Sequence, residues 1–192
     1  TGKKIHIMGI VPGGMAFPLA EDQRKALLAW IPEATETVQK GIDIIKSFME
    51  EHQEMVTSFA PSPTLYLGTV GPSGEHELYD GKLRFIDAEG AVLQDQLSPV
   101  DYLKYIAERS VAWSYLKYPY YKPLGFEQGI YRVGPLARLN VANRMRTPLA
   151  QREFEQYKAL GKGKPLHGAF YYHYARLIEC LSDVEDAERI LQ

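Results

Sequence analysis

The side chains that could bind a metal or attack a substrate are few and widely spaced in this sequence. The five histidines show no close pair at metal-ligand spacing: they are His6, His52, His76, His167 and His173. The last two are six residues apart, which would place them on different faces of a helix. The single cysteine, Cys180, can form neither a disulfide within the chain nor a thiolate cluster. We therefore predict no catalytic, cofactor or metal site built from this chain alone.

Three other candidate features have plain structural interpretations. Cys180 follows Glu179, whereas reactive thiolates need a positive neighbourhood or a helix N-terminus, so a buried, inert thiol is predicted. The run Pro12–Gly14 lacks the glycine spacing and the Lys-Ser/Thr pair of a phosphate loop, and a structural turn is favoured over a phosphate-binding nest. His173 falls on an apolar helical seam, where a core histidine with one hydrogen bond is expected.

Composition narrows the class of protein. The 192 residues are 45% hydrophobic and 24% charged, the balance of a globular domain. A formal net charge of −2 argues against a general nucleic-acid binder, which needs a clustered basic surplus. The apolar runs are too short to cross a bilayer, so no membrane partner is predicted. With one cysteine in the chain, a reducing, cytoplasmic location is favoured.

The elements that would position these residues follow from hydrophobic periodicity and from Pro and Gly breaks. Helices are predicted over about 20–59, where Pro32 would begin a second helix or kink the first. A small antiparallel sheet is predicted over about 64–97, and a long helix over about 165–191. The apolar seam of this last helix is predicted to run from Leu166 through Phe170, His173, Leu177 and Leu181.

The stretch over about 98–164 is predicted to mix helices with an irregular aromatic segment. A helix is expected to start at Ser98 as N-cap with Pro99 in its first position. Trp113 to Tyr131 is predicted to be irregular, and its large amphipathic side chains suit either a partner surface or a loop folded over its own core. Two helical pieces are expected over 132–143 and 147–160. The fold class is therefore α+β, mainly α, in one region spanning 1–192.

Three segments in order resemble one known family. Gly2–Gly14 (GKKIHIMGIVPGG), Tyr131–Asn140 (YRVGPLARLN) and Phe170–Glu179 (FYYHYARLIE) are similar to segments of the large subunit of nickel–iron hydrogenases. Further matches fall between them in the expected order: Leu83–Asp87, Trp113–Tyr121 and Thr147–Ala150. The resemblance covers almost the whole chain, and it is nearest to the cytoplasmic, NAD-linked bidirectional branch.

The resemblance implies a specific chemistry for the complete subunit. Members of the family hold nickel through four cysteine thiolates in two Cys-x-x-Cys pairs, two of which bridge to an iron carrying cyanide and carbon monoxide. Hydrogen is split there, and electrons leave through iron–sulfur clusters in a small partner protein and, in this branch, through a flavin module to NAD. With one cysteine, this chain has neither pair. It is therefore expected to be a central, excised fragment, inactive by itself, that serves as scaffold and as a docking part for the small hydrogenase subunit, with the diaphorase subunits as more remote partners.

Two residues receive a role through the resemblance. His6 matches a family histidine near the subunit interface, so a place at that interface or just outside the metal ligands is set against a simple turn histidine. Arg138 is expected to serve packing or a buried ion pair. Helices that face missing segments should expose apolar patches and promote self-association. The alternative function is a stand-alone, metal-free interaction module related to the hydrogenase fold.

Overall fold

The described part of the chain begins with a small hairpin followed by a long helix. The structure, a computed structural model, describes residues 9–192. Strands β1 (Ile10–Val11) and β2 (Gly14–Met15) pair antiparallel around the Pro12-Gly13 turn. Gly13 has φ 91°, a conformation that side chains with a Cβ rarely adopt. The structural turn predicted for Pro12–Gly14 is therefore confirmed.

The first long helix is continuous through its proline. Helix α1 spans Glu21–Glu51 with two acidic residues in its first turn, where the helix dipole favours negative charge. Pro32 lies inside α1, so the predicted second helix does not begin there. After His52 a short helix α2, Gln53–Ser58, completes the predicted helical region close to its expected end.

The predicted small antiparallel sheet is confirmed. Strands β3 (Leu65–Val70) and β4 (Lys82–Ile86) pair with Leu67 opposite Phe85, and β5 (Val92–Leu97) adds to the other side of β4. All but one of the β3 residues are buried. Burial on both faces shows that β3 is the central strand of the fold.

The region after β5 differs from the prediction. Pro99–Lys104 forms a short 3₁₀ helix with proline at its start, but the Ser98 side chain makes no capping bond. Strands β6 (Ile106–Val111) and β7 (Ser114–Tyr121) then form an antiparallel hairpin. The first part of the segment predicted to be irregular is therefore a regular strand. Pro119 in β7 hides this strand in the sequence, because proline interrupts sheet hydrogen bonding. A two-stranded hairpin tolerates it, since each strand keeps an edge with no partner.

Short elements then return the chain to the main sheet. A 3₁₀ turn, Lys122–Leu124, leads into helix α3, Gly125–Gln128, and then into strand β8, Tyr131–Arg132. Strand β8 pairs parallel with β3, which gives the strand order β5-β4-β3-β8. The sheet is therefore mixed, and its fourth strand was missing from the sequence prediction.

Three helices complete the fold. Helices α4 (Pro135–Val141) and α5 (Pro148–Leu160) lie within the two predicted helical pieces, and α6 spans Tyr171–Leu191. The buried face of α6 contains Tyr174, Ala175, Ile178, Leu181 and two polar residues. This face is rotated from the predicted seam, and His173 is exposed, so its expected role as a core histidine is wrong. None of the helices within residues 9–192 combines the length and apolar character that a membrane span needs.

Two hydrophobic clusters lie on opposite sides of β3. The larger cluster packs α1, α4, α5 and α6 against one face of the sheet, with Tyr66, Leu136 and Ile178 among its fully buried members. Helices α1 and α6 approach closely at Gly41, where an added Cβ would lie 3.3 Å from the Leu177 side chain. The smaller cluster joins the other face to the hairpin and contains Leu65, Leu67, Phe85 and Tyr121. The α+β class is as predicted.

Candidate functional site

Helix α4 is the most completely enclosed helix of the described chain, and the only conspicuous cluster of buried charges forms around it. Six of its seven residues are buried, all except Arg138. Gly134, with φ 82°, turns the chain into the helix, and Pro135 occupies the first position, where its missing N–H costs nothing. Gly68 of β3 permits close contact, because a Cβ there would lie 2.5 Å from Val141 Cγ2 and 3.0 Å from Arg138 Cα.

Three residues from three elements form a buried ionic junction: Arg138 of α4, Glu179 of α6 and His76 of the β3–β4 loop. Arg138 donates two hydrogen bonds to the Glu179 carboxylate, Nε to Oε1 at 2.6 Å and Nη2 to Oε2 at 2.7 Å. His76 Nε2 lies 2.8 Å from Glu179 Oε1, and the His76 and Glu179 side chains are 5% and 6% exposed. A carboxylate bound by a bidentate guanidinium is among the stronger charge-assisted pairs in proteins.

The protonation of Glu179 follows from these contacts. Burial by itself would raise the pKa of Glu179, but hydrogen bonds and charge from Arg138 and His76 outweigh it and lower that pKa. The hydrogen bond to Glu179 likewise raises the pKa of Arg138. The pair is therefore ionised at neutral pH. Of the two roles expected for Arg138, packing or a buried ion pair, the structure shows the ion pair. Both carboxylate oxygens are in use, so Glu179 is a structural anchor rather than a free base.

The C-terminal carbonyls of α4 are bound by two cationic side chains. Lys158 Nζ donates to Asn140 O at 3.0 Å, and Arg84 Nη1 donates to Val141 O at 2.9 Å. Positive groups are favourable there because the helix dipole is negative at its C-terminus. Burial, followed by the nearby charge of Arg84, lowers the pKa of Lys158 to about 8. Arg84 also makes a bidentate pair with Asp95, at 2.9 and 2.8 Å.

Side chains from neighbouring loops and helices complete the junction. Asn140 accepts from the Leu166 amide and donates to the Leu166 carbonyl at 2.9 Å, which fixes the loop between α5 and α6. The carboxylate of Glu185 accepts from the amides of Leu149 and Ala150 at 2.9 and 3.0 Å, at the N-terminus of α5. Helix N-termini favour such anionic partners. The ionic groups thus fasten α4, α5 and α6 to one another and to the sheet.

The predicted site residues are not brought together. His6 lies outside the described residues. His76 is in the ionic junction, His167 contacts Tyr66, and His173 is exposed. Among residues 9–192 no group of three or more His, Cys, Asp or Glu side chains could hold a metal ion.

The thiol of Cys180 is only partly buried, rather than buried as predicted. Burial, with the charges of Asp183 and Glu179, raises its pKa, which disfavours the reactive thiolate.

Sequence reasoning missed Glu179 and His76 as members of a cluster. They are 103 residues apart in the chain, and a carboxylate on a helix is most often solvated. One signal was available: Ala175, Ile178 and Leu181 define a helical stripe that also contains Glu179, and a charge on such a stripe needs a buried partner.

The fold and the similarities to known proteins point to one class. None of the protein-family models matches the sequence. The chain is nevertheless similar over its whole length to parts of hydrogenase subunits. It is 39% identical over 191 residues to a subunit of the F420-non-reducing hydrogenase vhu of Methanococcus voltae, an alignment that covers 100% of this chain and 45% of that protein.

A second relative and a solved structure lead to the same class. The chain is 35% identical over 196 residues to the beta subunit of the NAD-reducing hydrogenase HoxS of Cupriavidus necator, covering 99% of this chain and 40% of that protein. A crystal structure of NAD⁺-reducing [NiFe]-hydrogenase in the H2-reduced state matches with a TM-score of 0.88 and 36% identity, over 94% of this chain and 40% of that one. The chain thus spans less than half the length of the curated relatives it matches.

Proposed function

We propose that this chain is the central scaffold and partner-docking part of the large subunit of a cytoplasmic nickel–iron hydrogenase, and that it is inactive by itself. The complete enzyme would couple reversible hydrogen oxidation to the reduction of NAD. The observation that carries the proposal is the similarity to the NAD⁺-reducing [NiFe]-hydrogenase chain, at 36% identity and a TM-score of 0.88 over 94% of this chain. Agreement of sequence and fold over that length supports a common role.

The residues of this chain do not fit a nickel–iron centre. The family resemblance implies four cysteine thiolates, and the chain contains one cysteine, Cys180. Cys180 is also a poor candidate for a ligand, because its thiol pKa is raised rather than lowered. We therefore propose that this chain performs no catalytic step by itself and that the metal ligands belong to other parts of the parent subunit.

The contribution of the chain to the parent enzyme would be mechanical. Active-site geometry must be held to within a fraction of an ångström by a rigid surrounding framework. The ionic junction and the bound carbonyls at the end of α4 supply such a framework, since they join one strand, one loop and three helices through charged hydrogen bonds. Metal-binding segments attached to this framework would inherit its rigidity.

The proposal for the chain itself is tested by assaying it alone. Purified chain should show no hydrogen-dependent reduction of a viologen dye and no stoichiometric nickel by elemental analysis. Clear turnover or one nickel per chain would overturn the proposal. Co-expression with the small subunit of the parent hydrogenase should give a complex that co-elutes in gel filtration. Failure to form it would refute the docking role.

The electron acceptor is tested on the complete enzyme. Relatives named as NAD-reducing and as F420-non-reducing have similar identities to this chain, 35% and 39%. We propose NAD as acceptor, through iron–sulfur clusters and flavin in partner subunits. Hydrogen-dependent NADH formation measured at 340 nm would support this, whereas viologen reduction without NADH formation would contradict it.

His6 carries a separate proposal on the complete enzyme. Its resemblance to a family histidine at the subunit interface suggests a place near the partner's iron–sulfur cluster. His6→Ala should alter the electron paramagnetic resonance signal of the cluster and slow electron transfer to it. Unchanged signals and rates would contradict a role for His6 at the interface.

The alternative function, a stand-alone interaction module, is tested by the sequence of the parent gene. Cys-x-x-Cys motifs on both sides of the coding segment would exclude it.

A further inference from the structure

One buried tyrosine forms an unusually close pair with a histidine. Tyr66 is the second residue of β3 and is 0% exposed. Its phenol oxygen is 2.5 Å from Nδ1 of His167, and the two rings are nearly parallel with centroids 5.8 Å apart. His167 lies in the loop between α5 and α6 and is only partly buried. A core phenol is therefore connected directly to a base that reaches towards solvent.

The hydrogen-bond network assigns the phenol proton to this contact. Tyr66 Oη also lies 3.1 Å from the Leu166 carbonyl, and a phenol has a single proton to donate. The Leu166 carbonyl already accepts from Asn140 Nδ2 at 2.9 Å. The contact to His167 is the shorter of the two, so the phenol donates its proton to Nδ1. The single proton of the neutral imidazole is then on Nε2.

Both members of the pair are neutral at rest. Burial raises the pKa of Tyr66 to about 12, which keeps the phenol protonated. Burial, with the charge of Arg132, lowers the pKa of His167, which keeps the imidazole free to accept a proton. Nothing drives proton transfer between them until the phenol becomes a much stronger acid.

Arg132 holds the phenol and the imidazole in place relative to each other. Arg132 donates to the His167 carbonyl and, at 3.2 Å, to the Ala60 carbonyl. Arg132 is also the residue of β8 that pairs with Tyr66 in the sheet register. Because the same residue fixes the sheet edge and the histidine loop, the phenol and the imidazole stay in register without needing to reorganise.

We propose that Tyr66 and His167 form a proton-coupled redox pair that exchanges one electron with an outer-sphere oxidant. A one-electron oxidant, such as an oxidised metal complex, would remove an electron from the phenol. The O–H bond then breaks, the proton moves to Nδ1, and a neutral phenoxyl radical and an imidazolium result. A one-electron reductant returns the electron, and the proton moves back. This inference does not depend on the proposed function.

The proton transfer is what makes Tyr66 oxidisable in this position. Removing an electron alone would leave a cation in the apolar core, where uncompensated charge is strongly disfavoured. Transfer to His167 moves the positive charge to a partly exposed ring. Tyr157 is the natural contrast, since it is also 0% exposed but its hydroxyl has no hydrogen-bond partner among residues 9–192.

Tyr174 is a second buried tyrosine that could be oxidised, but it is a weaker candidate than Tyr66. Its hydroxyl donates to Glu153 Oε2 at 2.8 Å, but that carboxylate is also bound by Lys46 at 2.5 Å. An ordinary carboxylate is less basic than an imidazole by about two pKa units. Lys46 already binds the Glu153 oxygen that accepts from Tyr174, whereas Nδ1 of His167 faces Tyr66. Oxidation is therefore expected at Tyr66 first.

The pair is tested by photo-oxidation of the 192-residue chain with ruthenium(III) tris-bipyridyl, followed by freeze-quench electron paramagnetic resonance. A brief ascorbate chase removes radicals on exposed side chains such as Tyr115, which is 94% exposed. The surviving tyrosyl signal should gain a fluorine splitting when 3-fluorotyrosine is placed at position 66. It should be lost in Tyr66→Phe and retained in the matched variant Tyr157→Phe.

A second variant tests the proton acceptor. His167→Gln keeps a polar side chain but removes the base, and should slow formation of the buried radical by about a hundredfold, the usual effect of losing a positioned proton acceptor. An unchanged rate in that variant would overturn the proposal, as would a surviving signal with no fluorine splitting at position 66. The protein labelled with 3-fluorotyrosine keeps the hydroxyl at position 66. It therefore shows whether the radical lies on that residue even if Tyr66→Phe does not fold.

Discussion

The region around α4 and the β6–β7 hairpin handle charged and aromatic side chains in opposite ways. Around α4, charged side chains are largely buried and hydrogen-bonded, with Glu179 bound by Arg138 and His76. At the tip of the hairpin, two aromatic side chains are exposed, Trp113 by 79% and Tyr115 by 94%. The ion pair that joins the hairpin to α3, Arg109 with Glu127, lies at the surface. The comparison teaches that the α4 region fixes the fold, whereas the hairpin leaves apolar surface available for contacts.

The largest expected effect is loss of the carboxylate in the ionic junction. Glu179→Ala leaves the Arg138 guanidinium and His76 without their buried partner, which should lower the free energy of unfolding by about 3–5 kcal/mol. Urea denaturation followed by circular dichroism measures this. The control, Glu127→Ala in α3, removes the partner of Arg109 on the hairpin and should cost about 0–1 kcal/mol because that ion pair is exposed. Equal losses in the two variants would erase the distinction between the regions.

A steric test of the same region comes next. Gly68→Ala places a methyl group against Val141 and the backbone of Arg138, and such overpacking should cost about 1–3 kcal/mol. Gly41→Ala in α1 is the matched control. Its Cβ would meet only the flexible end of Leu177, at 3.3 Å, and alanine is the better helix former. A thermal melt of Gly68→Ala that matched the wild type would show that α4 is free to move away from β3.

The pH dependence of stability sharpens the comparison further. The pKa of Glu179 is lowered below its ordinary value of 4.5, so its contribution is present above that pH and is lost as the pH falls through the folded-state pKa. Unfolding free energies between pH 6 and pH 3 should therefore fall less steeply in Glu179→Gln than in the wild type. Parallel curves would mean that the carboxylate is not stabilised by its partners.

The smallest effect is expected on the hairpin. Trp113→Ser and Tyr115→Ser should each change the free energy of unfolding by no more than about 0.5 kcal/mol, as is usual for exposed positions. The same variants should reduce self-association in sedimentation velocity, because they remove exposed apolar area. A loss of stability well above that limit would show that the hairpin aromatics pack as a core.

The sequence predicted well what local pattern determines. The long helices, the three antiparallel strands and the Pro12–Gly14 turn all follow from periodicity and from Pro and Gly positions. The ion pair at Arg138 was predicted only as a type, since its partner Glu179 is 41 residues away. Its second partner, His76, comes from a loop that no helical pattern marks.

The wrong predictions also have causes in the local sequence. Strand β7 contains Pro119, which argues against a strand unless the sheet has only two strands. The first turn of α6 contains three tyrosines, which suit a core or a surface equally. The sequence therefore predicts an apolar seam through His173, whereas the buried face contains Tyr174. Strand β8 has two residues, too few to give a periodic signal.

The ionic junction also determines the order in which parts of the protein can fold during synthesis. A ribosome delivers Arg138 before Glu179, and at about 5–20 residues per second the intervening 41 residues take roughly 2–8 s. During that time the guanidinium has no buried partner, so α4 cannot adopt its final enclosed position against β3. The nascent chain must keep α4 partly solvated, and its last folding step waits for a helix that is synthesised later.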